Sequence, residues 1–81
     1  MVDSMRNARK SPLGMKIIRI RMEANISQSE LGDIVGSDQT RVSFWENGRS
    51  TPANRSMKEL IKLGNKYGIE ITLEDVINRG N

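Results

Sequence analysis

Between Ser27 and Trp45 the chain opens a helix, stops it at a glycine and opens another, which leaves space for only a tight turn between them. Ser27 and Glu30 form an S-x-x-E capping box, in which the serine hydroxyl takes a first-turn amide and the glutamate reaches back to the serine amide. Leu31, Ile34 and Val35 follow on one face at helical spacing. Gly36 ends that helix, because the residue past a C-cap commonly adopts a left-handed conformation that glycine reaches without steric cost. Ser37 or Asp38 caps the next helix, whose Val42 and Trp45 point inward three residues apart.

The rest of the chain reads as helices around this pair. Residues 1–10 show no apolar periodicity and hold four charges, the pattern of a flexible basic arm. Ser11-Pro12 starts a helix that runs to Ala24, with proline at its first position, Leu13, Ile17, Ile20 and Met22 turned inward, and Asn25 closing it. Gly48 to Arg55 is a loop by its turn residues. Ser56 and Glu59 form a second capping box before a helix whose Met57, Leu60, Ile61, Gly64 and Tyr67 make a buried stripe, and Gly68 stops it. Ile69 and Ile71 alternate as in a short strand, but Thr72 and Asp75 resemble a third capping box. The second signal predicts a last helix from Leu73 to about Asn78, packing through Leu73, Val76 and Ile77. The expectation is one all-α domain over residues 11–79, a compact bundle of about five short helices, with no internal repeat and no low-complexity segment.

Composition narrows the function. Eighty-one residues lie near the lower limit at which a core holds without staples. The chain has no cysteine and no histidine, so disulfides, thiolate ligands and the commonest general base and metal ligand are all missing. Neither an enzyme nor a cofactor or metal is expected, and no small-molecule pocket is evident. No run of about eighteen apolar residues suggests a membrane span, and no signal-peptide core opens the chain, so a cytoplasmic location is expected. The net charge of +3 is unevenly spread. Residues 1–21 hold six basic residues against Asp3, a net of +5, and the remainder holds seven basic against nine acidic, a net of −2. A basic end on a weakly acidic body suits a polyanion approached from one side, although short basic tails are also common as merely solvating segments.

The closely joined helices have the geometry of a helix-turn-helix, in which the second helix enters a DNA major groove. Arg21, Gln28, Glu30-Leu31, Gly36, Gln39, Val42-Ser43, Trp45-Glu46, Asn47-Gly48 and Pro52 stand in an order and spacing that resemble the lambda-repressor and Cro-type helix-turn-helix regulators, the XRE family. Similarity runs from about Ile17 to Val76, and no single element carries it alone. The resemblance implies that Gln39, Thr40, Ser43 and Phe44 sit where the family reads base edges. Glutamine can bond adenine N6 and N7 together, and threonine can bond a base or touch a thymine methyl. For Phe44 two readings stand, packing on thymine methyls or lying partly under the loop at Thr51-Pro52, because the family more often has a polar or basic residue there. Gln28, at the start of a helix whose free amides attract anions, is implied to contact phosphate and to brace Gln39. Asn47-Gly48-Arg49 matches the family's second backbone clamp. Arg41 and Arg55 are candidates for flanking phosphate contacts or simply solvated charges, and Arg9 and Lys10 can follow the backbone or enter a groove. Arg21 and Glu46 are implied to pair, tying the first helix to the end of the third. Two departures from the family pattern stand out. Gly32 occupies a position where alanine is usual, permitting close packing at a cost of about 1 kcal/mol in helix propensity. The loop from Gly48 to Ser56 is also longer than the common pattern.

The resemblance thus implies a sequence-specific regulator of transcription on double-stranded DNA, a phage- or prophage-type repressor acting as a homodimer on an inverted-repeat operator. The expected dimer surface is Ile69, Ile71, Leu73, Val76 and Ile77, the competing reading being that these five only cap the core. A restriction-modification controller protein stands close to this reading. An antitoxin-like module that binds a partner protein and regulates its own gene is the alternative from a different class.

Overall fold

The computed structural model describes residues 11–77, and the arm expected over residues 1–10, with Arg9 and Lys10, lies outside them, as does Asn78. Among the described residues there are five helices and no strand: α1 Pro12–Ala24, α2 Gln28–Val35, α3 Gln39–Glu46, α4 Asn54–Lys66 and α5 Leu73–Ile77.

Four of the expected helix starts form as the side chains dictate, the first three as follows. Ser11 Oγ accepts from Gly14 N at 2.8 Å, with Pro12 in the first turn, where its missing N–H costs nothing. The Ser27–Glu30 box closes from both sides, at 3.0 and 2.8 Å. Asp38, not Ser37, caps α3, accepting from Arg41 N at 2.9 Å. The stops also follow the sequence. Asn25 adopts the left-handed conformation at φ 58° and Gly36 at φ 77°. Ser37 N then bonds Gly32 O at 2.7 Å, drawing the chain back across the end of α2.

Helix α4 departs from expectation. It begins at Asn54, with Ala53 as N-cap and no side-chain cap, so Ser56 and Glu59 do not form a capping box. Ser56 is buried, and its Oγ donates to Val35 O at 3.0 Å. That carbonyl belongs to the last turn of α2, where no intrahelical donor follows. The hydroxyl therefore serves a neighbouring helix instead of its own.

The core joins Leu13, Ile17 and Ile20 of α1, Leu31 and Val35 of α2, Val42 and Trp45 of α3, and Leu60 of α4, with Ile69 and Ile71 beneath α5. Met22 is exposed, standing two residues beyond Ile20 and thus on the opposite side of α1. Ile34 falls at the edge of its helix's apolar face and is half exposed, and Tyr67, past the end of α4, is exposed as well. Met57 and Ile61 pack against the core only partly buried.

Ile69 and Ile71 lie in neither strand nor helix. Gly68, at φ 75°, turns the chain back, and Ile69 N bonds Gly64 O at 2.8 Å. The returning strand of chain lies so close that a Cβ on Gly64 would stand 2.5 Å from Ile69 O. The Thr72–Asp75 box then opens α5, with Thr72 N donating to Asp75 Oδ2 at 2.7 Å and Asp75 N to Thr72 Oγ1 at 3.2 Å. Lys16 of α1 fixes this corner by donating to Asp75 Oδ2 and Glu70 O, each at 2.7 Å. No helix among the described residues is long and apolar enough to cross a membrane.

Candidate nucleic-acid interface

Helix α3 turns Val42 and Trp45 into the core and leaves Gln39, Thr40 and Arg41 exposed on its first turn. Ser43 is half-buried and Phe44 is 38% exposed. The helix is gripped at both ends by backbone contacts that only glycine allows. At its start, a Cβ on Gly32 would lie 2.8 Å from Asp38 Cα. At its end, a Cβ on Gly14 would lie 2.7 Å from both Trp45 O and Glu46 O. The propensity lost at Gly32 is therefore the cost of bringing α2 against the cap of α3. Gly14 went unnoticed in the sequence, although a glycine in an otherwise regular helix is a signal of close approach.

Behind α3 runs a line of polar side chains. Arg21 Nε and Nη2 donate to Glu46 Oε2 and Oε1 at 2.7 and 3.2 Å, so the pair implied by resemblance is present and bidentate. The Glu46 side chain is only 5% exposed. The hydrogen bond to Glu46 raises the pKa of the Arg21 guanidinium, partly opposed by burial and aided by the carboxylate charge. Gln28 Nε2 donates to Glu46 Oε1 at 2.9 Å, and Gln39 Nε2 donates to Gln28 Oε1 at 3.4 Å. The four residues come from α1, α2 and both ends of α3, and they join a half-buried charge pair to the first exposed residue of that helix.

The remaining expected contacts are placed less uniformly. Arg41 Nη1 donates to Asp38 Oδ2 at 3.0 Å on the surface, so any phosphate must compete with that carboxylate. Asn47 caps the end of α3, its N–H on Ser43 O at 3.0 Å, and Gly48 follows at φ 76°. The Arg49 guanidinium lies 5.3 Å from the Phe44 ring centre, and Arg49 N bonds Phe44 O at 2.8 Å. Sequence reasoning treated Phe44 and Arg49 separately and missed this stacking. Thr40, Arg41, Phe44, Thr51 and Arg55 line an open groove of about 820 Å³ between α3 and the long loop. Phe44 is thus both at the exposed face and beside the loop, and Arg55 is exposed on the first turn of α4.

On the other side, the five residues expected to meet a second copy are unequally exposed. Ile69 and Ile71 are buried in the core, where Ile69 O lies close over Gly64. Val76 is partly buried against the core, while Leu73 and Ile77 are 75% and 66% exposed.

No curated protein and no solved structure matches the chain. The model of the helix-turn-helix family matches residues 15–73, from the first turn of α1 to the start of α5, and takes in every element of the polar line and both faces of α3. The chain belongs to this XRE-type helix-turn-helix family of DNA-binding regulators.

Proposed function

We propose that the protein is a sequence-specific repressor of the phage or prophage type, binding an inverted-repeat operator as a homodimer in the cytoplasm. The observation that carries this reading is the hydrogen-bonded line ending on Gln39. A solvated surface glutamine has no need of a partner braced by a half-buried ion pair, whereas a base-reading side chain gains from being held before it meets DNA. Gln39, Thr40, Ser43 and Phe44 are the base-contacting set in this reading. Gln28, Asn47, Arg49, Arg41 and Arg55 hold phosphates, with Arg9 and Lys10 adding contacts from the arm. Phosphate contacts fix register without reading sequence. One helix of this length reads few base pairs, so a second copy, about one helical turn or roughly 34 Å away, supplies the remaining information. Leu73 and Ile77, exposed beside the half-buried Val76, support a contact surface on α5.

The same exposed pair also suits a partner protein of another kind, as in an antitoxin-like module. Selection of bound sites from random duplex DNA with the purified chain separates the two. An enriched inverted repeat is the expected result and gives the half-site spacing directly. Binding to all sequences alike, without enrichment, would remove the repressor reading and point to a regulator completed by a partner protein.

A further inference from the structure

Helices α1 to α4 all end in the same kind of turn. The residue past each end, Asn25, Gly36, Gly48 or Gly68, is left-handed, and the amide after it bonds a carbonyl five residues back. Such a turn carries the returning residue back over the residue that supplies the carbonyl, and the contact between the two is frequently apolar. The pairs here are Ile26 with Arg21, Ser37 with Gly32, Arg49 with Phe44, and Ile69 with Gly64. Ile26, Ser37 and Ile69 are buried or half-buried. Arg49 alone is exposed, and its partner is the only aromatic residue among the four. At the end of α3 the usual apolar contact is thus replaced by a cation over a ring, 5.3 Å from its centre, with Arg49 N held on Phe44 O at 2.8 Å.

The arginines around α3 are held in different ways. Arg21 is bound by Glu46, and Arg41 donates to Asp38 Oδ2. Among the described residues no carboxylate lies within ion-pair distance of Arg49. The ring attracts the Arg49 cation through its π face and supplies no oxygen, so a phosphate arriving there meets no competing acceptor. An arginine free in solvent must be ordered when it binds, whereas one already lying on a ring carries less of that cost. We propose that Phe44 is a positioning residue, whose ring holds the Arg49 guanidinium beside the exposed face of α3 so that the DNA phosphate contact of Arg49 depends on it. The inference rests on α3 entering the major groove with Arg49 on phosphate. It gives a physical reason for an aromatic residue where the family more often has a polar or basic one.

The test is a double-mutant cycle on the full chain, with duplexes carrying its selected site and titrations at several salt concentrations. Phe44→Leu keeps apolar bulk and removes the ring face, whereas Phe44→Tyr keeps both. Phe44→Leu is expected to weaken binding about two- to fivefold and to lower the salt slope. In an Arg49→Ala background, which itself flattens the slope by about one unit, the same change should leave affinity nearly as it was. Phe44→Tyr should match wild type in affinity and slope. In the free protein, proton NMR should show a ring-current shift of the Arg49 δ-methylene that Phe44→Leu abolishes and Phe44→Tyr preserves. Phe44 is 38% exposed, and Phe44→Met, also without a ring, carries the test if the leucine variant fails to fold. The proposal is overturned if Phe44→Leu weakens both backgrounds by the same factor, or leaves the affinity and slope of the wild type unchanged. Failure of the underlying reading looks different: Arg49→Ala itself leaves the slope unchanged, Arg49 then meets no phosphate, and the positioning scheme falls with it.

Discussion

Gly14→Ala sets two opposed effects against each other. Alanine is the better helix former by about 1 kcal/mol, and on a free surface the change would stabilise α1. In this fold the added Cβ would lie 2.7 Å from Trp45 O, 2.7 Å from Glu46 O and 2.9 Å from Ser11 Oγ. Two of the three atoms are backbone, so relief requires α1 and the end of α3 to move apart, and the third is the hydroxyl that caps α1. Overpacking costs about 1–3 kcal/mol, and with three atoms inside 3.0 Å this clash belongs in the upper part of that range, about 2–3 kcal/mol. The clash therefore exceeds the propensity gain, and a net loss of about 1–2 kcal/mol is expected. In a domain of this size that lowers Tm by roughly 5–15 °C. Thermal melting followed by circular dichroism measures it, and DNA affinity should fall too at temperatures where the variant is folded, because the backbone that shifts carries Glu46. A Tm equal to or above that of the wild type would refute the reasoning, showing that α1 and α3 are not held as close as their packing indicates.

Four further outcomes follow from the same geometry. Burial pushes the Asp75 carboxyl up, but hydrogen bonds from Lys16 and Thr72 more than offset it and hold it below the usual carboxylate range. Its stabilising contribution is then full above the unfolded value of about 3.9 and is lost as pH falls through the lower folded value. Urea midpoints of wild type and Asp75→Asn should differ steadily from about pH 7 to about pH 5 and converge below about pH 4, and an equal gap at about pH 2 would contradict the pairing. Replacing a contacted thymine by deoxyuridine removes one methyl and should weaken wild-type binding about fourfold but leave Phe44→Ala unaffected, whereas equal loss in both proteins would take Phe44 off the base edge. Arg49→Ala should weaken binding to all sequences and flatten the salt dependence by about one unit, and an unchanged slope would leave Arg49 as a partner of Phe44 only. Leu73→Glu with Ile77→Glu should halve the mass seen by sedimentation at concentrations where wild type is dimeric, with stability changed by no more than about 0.5 kcal/mol; an unchanged mass would place the dimer surface elsewhere.

Local signals in this chain were legible where a side chain answers a backbone group of its own turn. The Ser27–Glu30 box, the Gly36 stop and the Thr72–Asp75 box all formed as their residues indicate, and of the two cap candidates Ser37 and Asp38 it is Asp38 that caps α3. Ser56–Glu59 shows the same pattern and did not form, because a hydroxyl bonds whichever neighbour is orphaned, and Val35 O of α2 was the nearer claim. Pattern alone cannot separate the two cases, since the competing carbonyl lies 21 residues away in sequence. Periodicity failed in a related way. Ile69 and Ile71 sit in no regular element, so no repeat angle could reveal whether they face a partner or the core. Their burial depends on Gly64 admitting the returning chain. For the candidate site, the Arg21–Glu46 pair and the contact between Gln28 and Gln39 were visible only through family resemblance. The Arg49–Phe44 stacking was not visible at all, because a left-handed glycine at Gly48 decides where Arg49 points.

The residues that hold α3 in place are almost entirely different from those proposed to read DNA. Val42 and Trp45 bury its inner face, Gly32 and Gly14 seat its two ends, and Arg21 grips Glu46. None of these faces outward. Gln39 and Thr40 are exposed, and Phe44, itself 38% exposed, lies beside Arg49. Changes at the outward positions therefore leave the packing of α3 nearly untouched, and base preference can drift without a stability cost. Gln39 is the exception. Its amide is hydrogen-bonded through Gln28 to the same charge pair that secures the helix, so a change at Gln39 also releases a side chain that the packing of α3 engages.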